Sequence, residues 1–181
     1  MKTIKVMEMM VPINDYATVS ENATMYDAIL ALEKAQAEYD KSHYHHRAIL
    51  VYNDQNKIVG KISQLDLLTA LEPKYSKMMN LDVLSRTGYS MDYIESLTGF
   101  WSKPLGDICR KAASMQVRNF MYTPNSGEYI PEDAELNEAV HRLIMGRHQS
   151  LLVTRGDDIV GVLRLTDVFK LVCESVKECG I

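Results

Sequence analysis

The feature that most constrains this chain is an internal repeat. One stretch reads Arg47-Ala48-Ile49-Leu50-Val51-Tyr52, a polar turn, then Ile58-Val59-Gly60-Lys61-Ile62-Ser63-Gln64-Leu65-Asp66-Leu67-Leu68. A later one reads Gln149-Ser150-Leu151-Leu152-Val153-Thr154, a polar turn one residue shorter, then Ile159-Val160-Gly161-Val162-Leu163-Arg164-Leu165-Thr166-Asp167-Val168-Phe169. Gly60 matches Gly161, and Asp66 matches Asp167. A repeat outranks any single motif, because both copies must satisfy one local fold.

The pattern inside the copies specifies that fold. Ala48–Tyr52 and Ser150–Thr154 are nearly continuous apolar runs, which predict buried strands. Asn53-Asp54-Gln55-Asn56 and Arg155-Gly156-Asp157-Asp158 are turn chemistry, and strands joined so closely pair as hairpins. A helix opens near Gln64 and again near Leu165. Upstream, Met25, Ala28, Ile29, Leu32, Ala35 and Tyr39 share one helical face behind a Thr24–Asp27 capping box. Leu136, Ala139, Val140, Leu143 and Ile144 repeat that face. The lead-ins correspond as well: Val19–Ala23 with Ile130–Ala134, and Val6–Pro12 with Val117–Pro124, the second carrying one extra residue.

Each copy therefore reads as β-α-β-β-α behind a short Met-Pro lead, an α+β unit. One such unit has too little core to stand alone, so units 1–72 and 116–181 are expected to pack against each other. Residues 73–115 have no counterpart. Short helices are expected there at 80–86, 90–97 and 104–113. Met91, Ile94, Leu97, Phe100 and Trp101 make this insert too apolar for a free linker.

Composition narrows the function classes. With 46% hydrophobic and 24% charged residues the chain has the balance of a globular protein. No run approaches the ~18–20 apolar residues of a membrane span, and the start does not read as a secretion signal. The three cysteines, Cys109, Cys173 and Cys179, form no ligand pattern. A reduced cytoplasmic protein is expected, with no membrane partner. The net charge of -4 opposes nucleic-acid binding. His43, His45 and His46 invite a metal reading, but a third ligand and a base are missing. There is no nucleophile–base pair, no glycine-rich phosphate loop and no pair of catalytic acids. The expectation is a chain with no catalytic residues and no metal, not an enzyme.

The doubled Met-Pro lead, the Ala-containing helix start, the apolar hairpin and Gly-x-h-Ser-x-x-Asp at Gly60–Asp66 together resemble a tandem pair of CBS domains, often called a Bateman module. The resemblance covers nearly all of the chain except the insert. It implies two units related by a pseudo-twofold axis and packed through their sheets. It also implies two clefts for an adenosine-containing ligand (AMP, ADP or ATP, or S-adenosylmethionine), a homodimer, and a regulated protein partner. No catalytic cofactor is implied.

On that resemblance Ser63 and Asp66 would hold the ligand ribose, with Asp167 their counterpart. A carboxylate accepts bonds from both ribose hydroxyls, but Ser-x-x-Asp at a helix start is equally a capping box. His46 and Arg47 would meet the phosphate, with His148 matching in the second copy and Arg147 able to stand in for the arginine missing there. Arg164 replaces the serine of the second copy. It either blocks the second cleft or binds a phosphate there. Val11, Pro12, Val19, Ile62, Ile130 and Leu163 would form the adenine pocket by family position. An alternative is a ligand-free dimerisation scaffold that uses Phe100 and Trp101 of the insert. If both clefts bind, they should differ, the Asp66 side lying closer to the family pattern.

Overall fold

A computed structural model describes residues 3–38, 45–71, 91–96 and 104–178. The elements run β1 (Val11–Pro12), β2 (Thr18–Ser20), α1 (Met25–Glu38), β3 (Ala48–Tyr52), β4 (Ile58–Ser63), α2 (Gln64–Leu71), α3 (Met91–Ser96) and α4 (Leu105–Ala113). They continue with β5 (Tyr129–Pro131), α5 (Leu136–Gly146), β6 (Ser150–Arg155), β7 (Asp158–Arg164) and α6 (Leu165–Glu178). Short 3-10 turns occupy Val6–Glu8, Ile13–Asp15, Val117–Asn119 and Ser126–Glu128. The fold is mixed α+β with two sheets, ordered β2-β3-β4 and β1-β7-β6-β5.

The duplication is visible in the strand registers. β2 runs parallel to β3 and β5 parallel to β6, while both hairpins are antiparallel. Each hairpin is irregular at the same place, between Val51 and Tyr52 and between Val153 and Thr154. The Thr24–Asp27 box forms, with Asp27 N–H donating to Thr24 Oγ1 and Thr24 N–H to Asp27 Oδ2. The expected helix at 80–86 lies outside the described residues, as do Tyr39, His43, Phe100, Trp101 and Cys179. The expected helices at 90–97 and 104–113 correspond to α3 and α4.

Strand alternation sorts the core into layers. Ile49 and Val51 of β3 pack with Val19, Ala28 and Ile62 under α1. Leu151 and Val153 of β6 pack with Ile130, Ala139, Leu143 and Leu163 under α5 and α6. The intervening residues, Leu50 and Leu152, point the other way and meet each other's layer together with Val11, Tyr16 and Val162. The two sheets thus share a seam, and neither face of β3 or β6 is left to water. That explains why Ile49–Val51 and Leu151–Val153 are apolar at every position instead of alternating with polar residues.

The leads cross over. Val6 belongs to the core of the second half and Val117 to that of the first. β1 pairs with β7, Val11 facing Val162, and Tyr122 bridges to Lys61 of β4. The crossing explains both repeat glycines. A Cβ on Gly60 would stand 2.8 Å from Met121 Sδ, and one on Gly161 2.8 Å from Met10 Sδ and 2.7 Å from the Val11 carbonyl. The leads also keep one spacing, since Val6 to Thr18 spans the same interval as Val117 to Tyr129. The extra residue expected in the second lead is therefore absent, and Pro12 and Pro124 are not equivalent.

Candidate functional site

Two cavities flank the seam. The first, of about 440 Å³, opens where β3 and β6 begin. Ser63 and Asp66 at the start of α2 line it, as do His45 and Arg47 before β3, and Arg147, His148 and Gln149 before β6. Lys61, Tyr122, Glu128 and Arg164 complete its polar wall, with Tyr16, Ala48 and Leu65 as apolar surface. The second cavity, of about 590 Å³, lies under the first lead, between Met9, Met10, Val11 and Pro12 on one side and Arg164, Asp167, Lys170 and Leu171 on the other. Glu8, Asp15 and Glu38 also face it.

At the first cavity the Ser63–Asp66 capping box is formed. Ser63 N–H and Oγ–H both donate to Asp66 Oδ2 at 2.7 Å, and Asp66 N–H donates to Ser63 Oγ at 3.2 Å. The helix cap therefore engages one carboxylate oxygen, while the residue as a whole still lines the cavity. Capping and ligand contact are compatible uses of one aspartate.

Alternation at the strand entrance separates three neighbours. His45 and Arg47 face the cavity, but His46 is fully buried and packs edge-on against Tyr16, with ring centroids 4.6 Å apart. The expected phosphate role of His46 is corrected on this ground, since an extended chain turns successive side chains to opposite sides. Burial, and after it the Arg164 guanidinium, holds the His46 imidazole below the ordinary histidine value. Gln36 of α1 anchors the same entrance, its amide donating to the His46 carbonyl at 2.8 Å.

The second entrance is set by a left-handed residue. Arg147, at φ 52°, ends α5 and turns the chain into β6. His148 then lies against Gly146, where an added Cβ would stand 2.0 Å from His148 Nε2. His148 reaches the first cavity, so both entrances deliver basic side chains to one place.

The expected adenine residues do not converge. Val19, Ile62, Ile130 and Leu163 are sealed in the hydrophobic core, because they face the helices and not the seam. Val11 and Pro12 line the second cavity alone. Asp167 is committed elsewhere, for Arg164 donates to both of its carboxylate oxygens, Nε to Oδ2 at 2.5 Å and Nη2 to Oδ1 at 2.8 Å. Asp66 and Asp167, matched in the ribose reading, sit at different cavities, one in each.

Lys61, Tyr122 and Glu128, a charged and polar cluster in the first cavity, were not singled out by the sequence. Glu128 is 2% exposed and forms an ion pair with Lys61. It also accepts from Tyr122 Oη at 2.6 Å and from Asn125 N–H at 3.2 Å. Burial pushes the Glu128 carboxyl up, but Lys61, Tyr122 and Asn125 together outweigh it and hold the group below the ordinary glutamate value. Burial, and then Glu128, raises the Tyr122 phenol. A signal was present: the repeat places apolar Val162, Val11 and Ala17 where Lys61, Tyr122 and Glu128 stand. Among the described residues no group of three or more metal-ligating side chains occurs, and no helix is long and apolar enough to cross a membrane.

The chain thus uses one β-α-β-β-α unit twice, with crossed leads, a shared seam and a cavity at the paired strand entrances. The chain belongs to the CBS-domain family, whose pattern matches residues 6–73 and 117–174. CBS-domain proteins are typically regulatory modules rather than enzymes. No curated protein matches the chain. Among solved structures, the fold resembles CBSX2 in complex with AMP, with 18% identity and a TM-score of 0.57 over 94% of this chain and 96% of that one. It also resembles a putative acetoin utilization protein (AcuB) from Vibrio cholerae, with 19% identity, TM-score 0.59, and 97% and 95% covered. A third likeness is to MJ1004 from M. jannaschii, with 19% identity and TM-score 0.58, where 94% of this chain spans 60% of the other.

Proposed function

We propose that the first cavity binds an adenine nucleotide and that the chain is a regulatory sensor of that ligand. One observation carries the reading. The ribose candidates Ser63 and Asp66 and the basic residues of both strand entrances face a single cavity of about 440 Å³, within the ~300–1,000 Å³ range of small-molecule sites. Asp66 would accept from the ribose hydroxyls. Arg47, with Arg147 and His148, would hold the phosphate, a forked guanidinium being suited to a phosphate dianion. Tyr122 and Leu65 supply flat and apolar surface for the base. The two cavities differ in charge. Lys61, Arg47, Arg147 and Arg164 outnumber Asp66 and Glu128 at the first, whereas Glu8, Asp15, Glu38 and Asp167 outnumber Arg164 and Lys170 at the second. A phosphorylated ligand is thereby steered to the first. That CBSX2 was obtained with AMP supports the ligand class.

Because the ligand touches both halves, it biases their relative placement only as far as it binds one arrangement more tightly. A partner protein would read that change. We place the chain in a reducing compartment, the cytoplasm, its described cysteines Cys109 and Cys173 both being free, and read it as a homodimer, since equivalent positions Leu68 and Phe169 are exposed on α2 and α6 beside Val172 and Val176. Calorimetry against AMP, ADP, ATP and S-adenosylmethionine tests the reading. Heat with a nucleotide that is lost in Asp66→Ala is expected. A folded protein silent to all four ligands overturns it and leaves the ligand-free scaffold.

A further inference from the structure

The second cavity carries the aspartate of the repeat, yet its carboxylate is already held by the chain itself. Arg164 replaces the serine of the capping box, and its guanidinium grips Asp167 through two parallel bonds. The pair is enclosed, Arg164 being 5% exposed. Each carboxylate oxygen already accepts one bond from the guanidinium, so a cis-diol must either crowd in beside the fork or displace it. A ribose offers two neutral O–H donors in exchange for a charge-assisted fork, and it would leave a buried guanidinium behind. Both terms oppose the exchange.

Arg164 is also shared between the cavities. It lines the first as well as the second, and its backbone sits opposite Ser150, another residue of the first cavity. An anion in the first cavity therefore presents the guanidinium with a second partner. Turning toward it would release Asp167 without leaving the arginine uncompensated.

We propose that Arg164 determines the specificity of the second cavity and couples it to the first: it excludes a ribose from Asp167 until an anion in the first cavity draws it away. This rests on the second cavity's geometry, and on the proposed nucleotide reading for the ribose and for the identity of the anion. The reciprocal effect follows from linkage, so a diol bound at Asp167 tightens anion binding at the first cavity by the same factor.

Arg164→Ser is the decisive variant because it restores in the second copy the Ser-x-x-Asp box seen at Ser63 and Asp66, so the start of α6 keeps a cap. Arg164→Gln provides a second variant should the serine disturb packing. The probes are adenosine, which has the diol and no phosphate, and inorganic pyrophosphate. All titrations are made by calorimetry on the full chain carrying Asp66→Ala, so that adenosine reports the second cavity alone. Removing the fork is expected to tighten adenosine at least about tenfold, the gain disappearing when Asp167→Ala is added. Saturating pyrophosphate is expected to tighten adenosine by a similar factor while Arg164 is present, and to have no effect once it is serine or glutamine. Adenosine affinity unchanged in both arginine variants overturns the proposal, as does a pyrophosphate effect that survives without Arg164. Failure of the nucleotide reading shows separately, as loss of any Asp66-dependent binding in the otherwise unaltered chain.

Discussion

Replacing Lys61 with methionine strands Glu128. The ion pair is enclosed, the side chains being 15% and 2% exposed. Removing one partner of a buried pair costs about 3–5 kcal/mol, since the remaining charge loses its compensation. The low end applies here, about 3 kcal/mol, because Tyr122 Oη and Asn125 N–H still donate to the other carboxylate oxygen. The pH dependence has a definite sign. The Glu128 carboxyl is depressed in the folded state, so its stabilisation is present above the ordinary carboxylate range and is lost as pH falls through the folded value. Without Lys61 the effect of burial is less opposed, the folded value rises, and Glu128 takes up its proton at a higher pH than in the unaltered chain. The Lys61→Met deficit is therefore largest at neutral pH and shrinks on acidification. Urea unfolding followed by circular dichroism at neutral and mildly acidic pH measures it, with Glu128→Gln and the double variant completing the cycle. The double variant should regain part of the loss. A deficit below about 1 kcal/mol that does not change with pH would instead mark a solvated surface pair and contradict the enclosed one.

Other outcomes follow from the same packing. Gly161→Ala should destabilise by about 1–3 kcal/mol and Gly60→Ala by less, because the first meets the Val11 carbonyl and the second chiefly the flexible Met121 side chain; thermal melts compare them. Leu152→Ala should cost about 2–5 kcal/mol in urea unfolding, since Leu152 fills the seam shared by both halves. His46 is held below its ordinary value, so the stability it contributes is full above the unfolded histidine range and falls as the pH drops below it. His46→Phe should flatten that part of the stability profile, and an unchanged slope would contradict the assignment.

Much of the fold was legible because the repeat imposes it. The hairpins and the helices before them follow from local patterning that both copies share, and the cap at Thr24 from patterning in the first copy alone. The crossing of the leads was not legible, although Gly60 and Gly161 marked where it happens. A glycine inside a strand signals close approach of another segment without saying which one. The site divides in the same way. Ser63, Asp66, Arg47 and His148 face one cavity, but His46 does not, since a shift of one residue reverses a side chain in extended structure. Val19, Ile62, Ile130 and Leu163 carried the right chemistry for an adenine slot and the wrong facing. Lys61, Tyr122 and Glu128 act as a network of residues distant in sequence, visible beforehand only as charged or polar positions set against apolar ones in the other copy.

A crystal structure of the protein grown with AMP distinguishes the two cavities. Density is expected in the first, the ribose against Asp66 and the phosphate among Arg47, Arg147 and His148. Nucleotide seated instead at Asp167, with the first cavity empty, would contradict that placement.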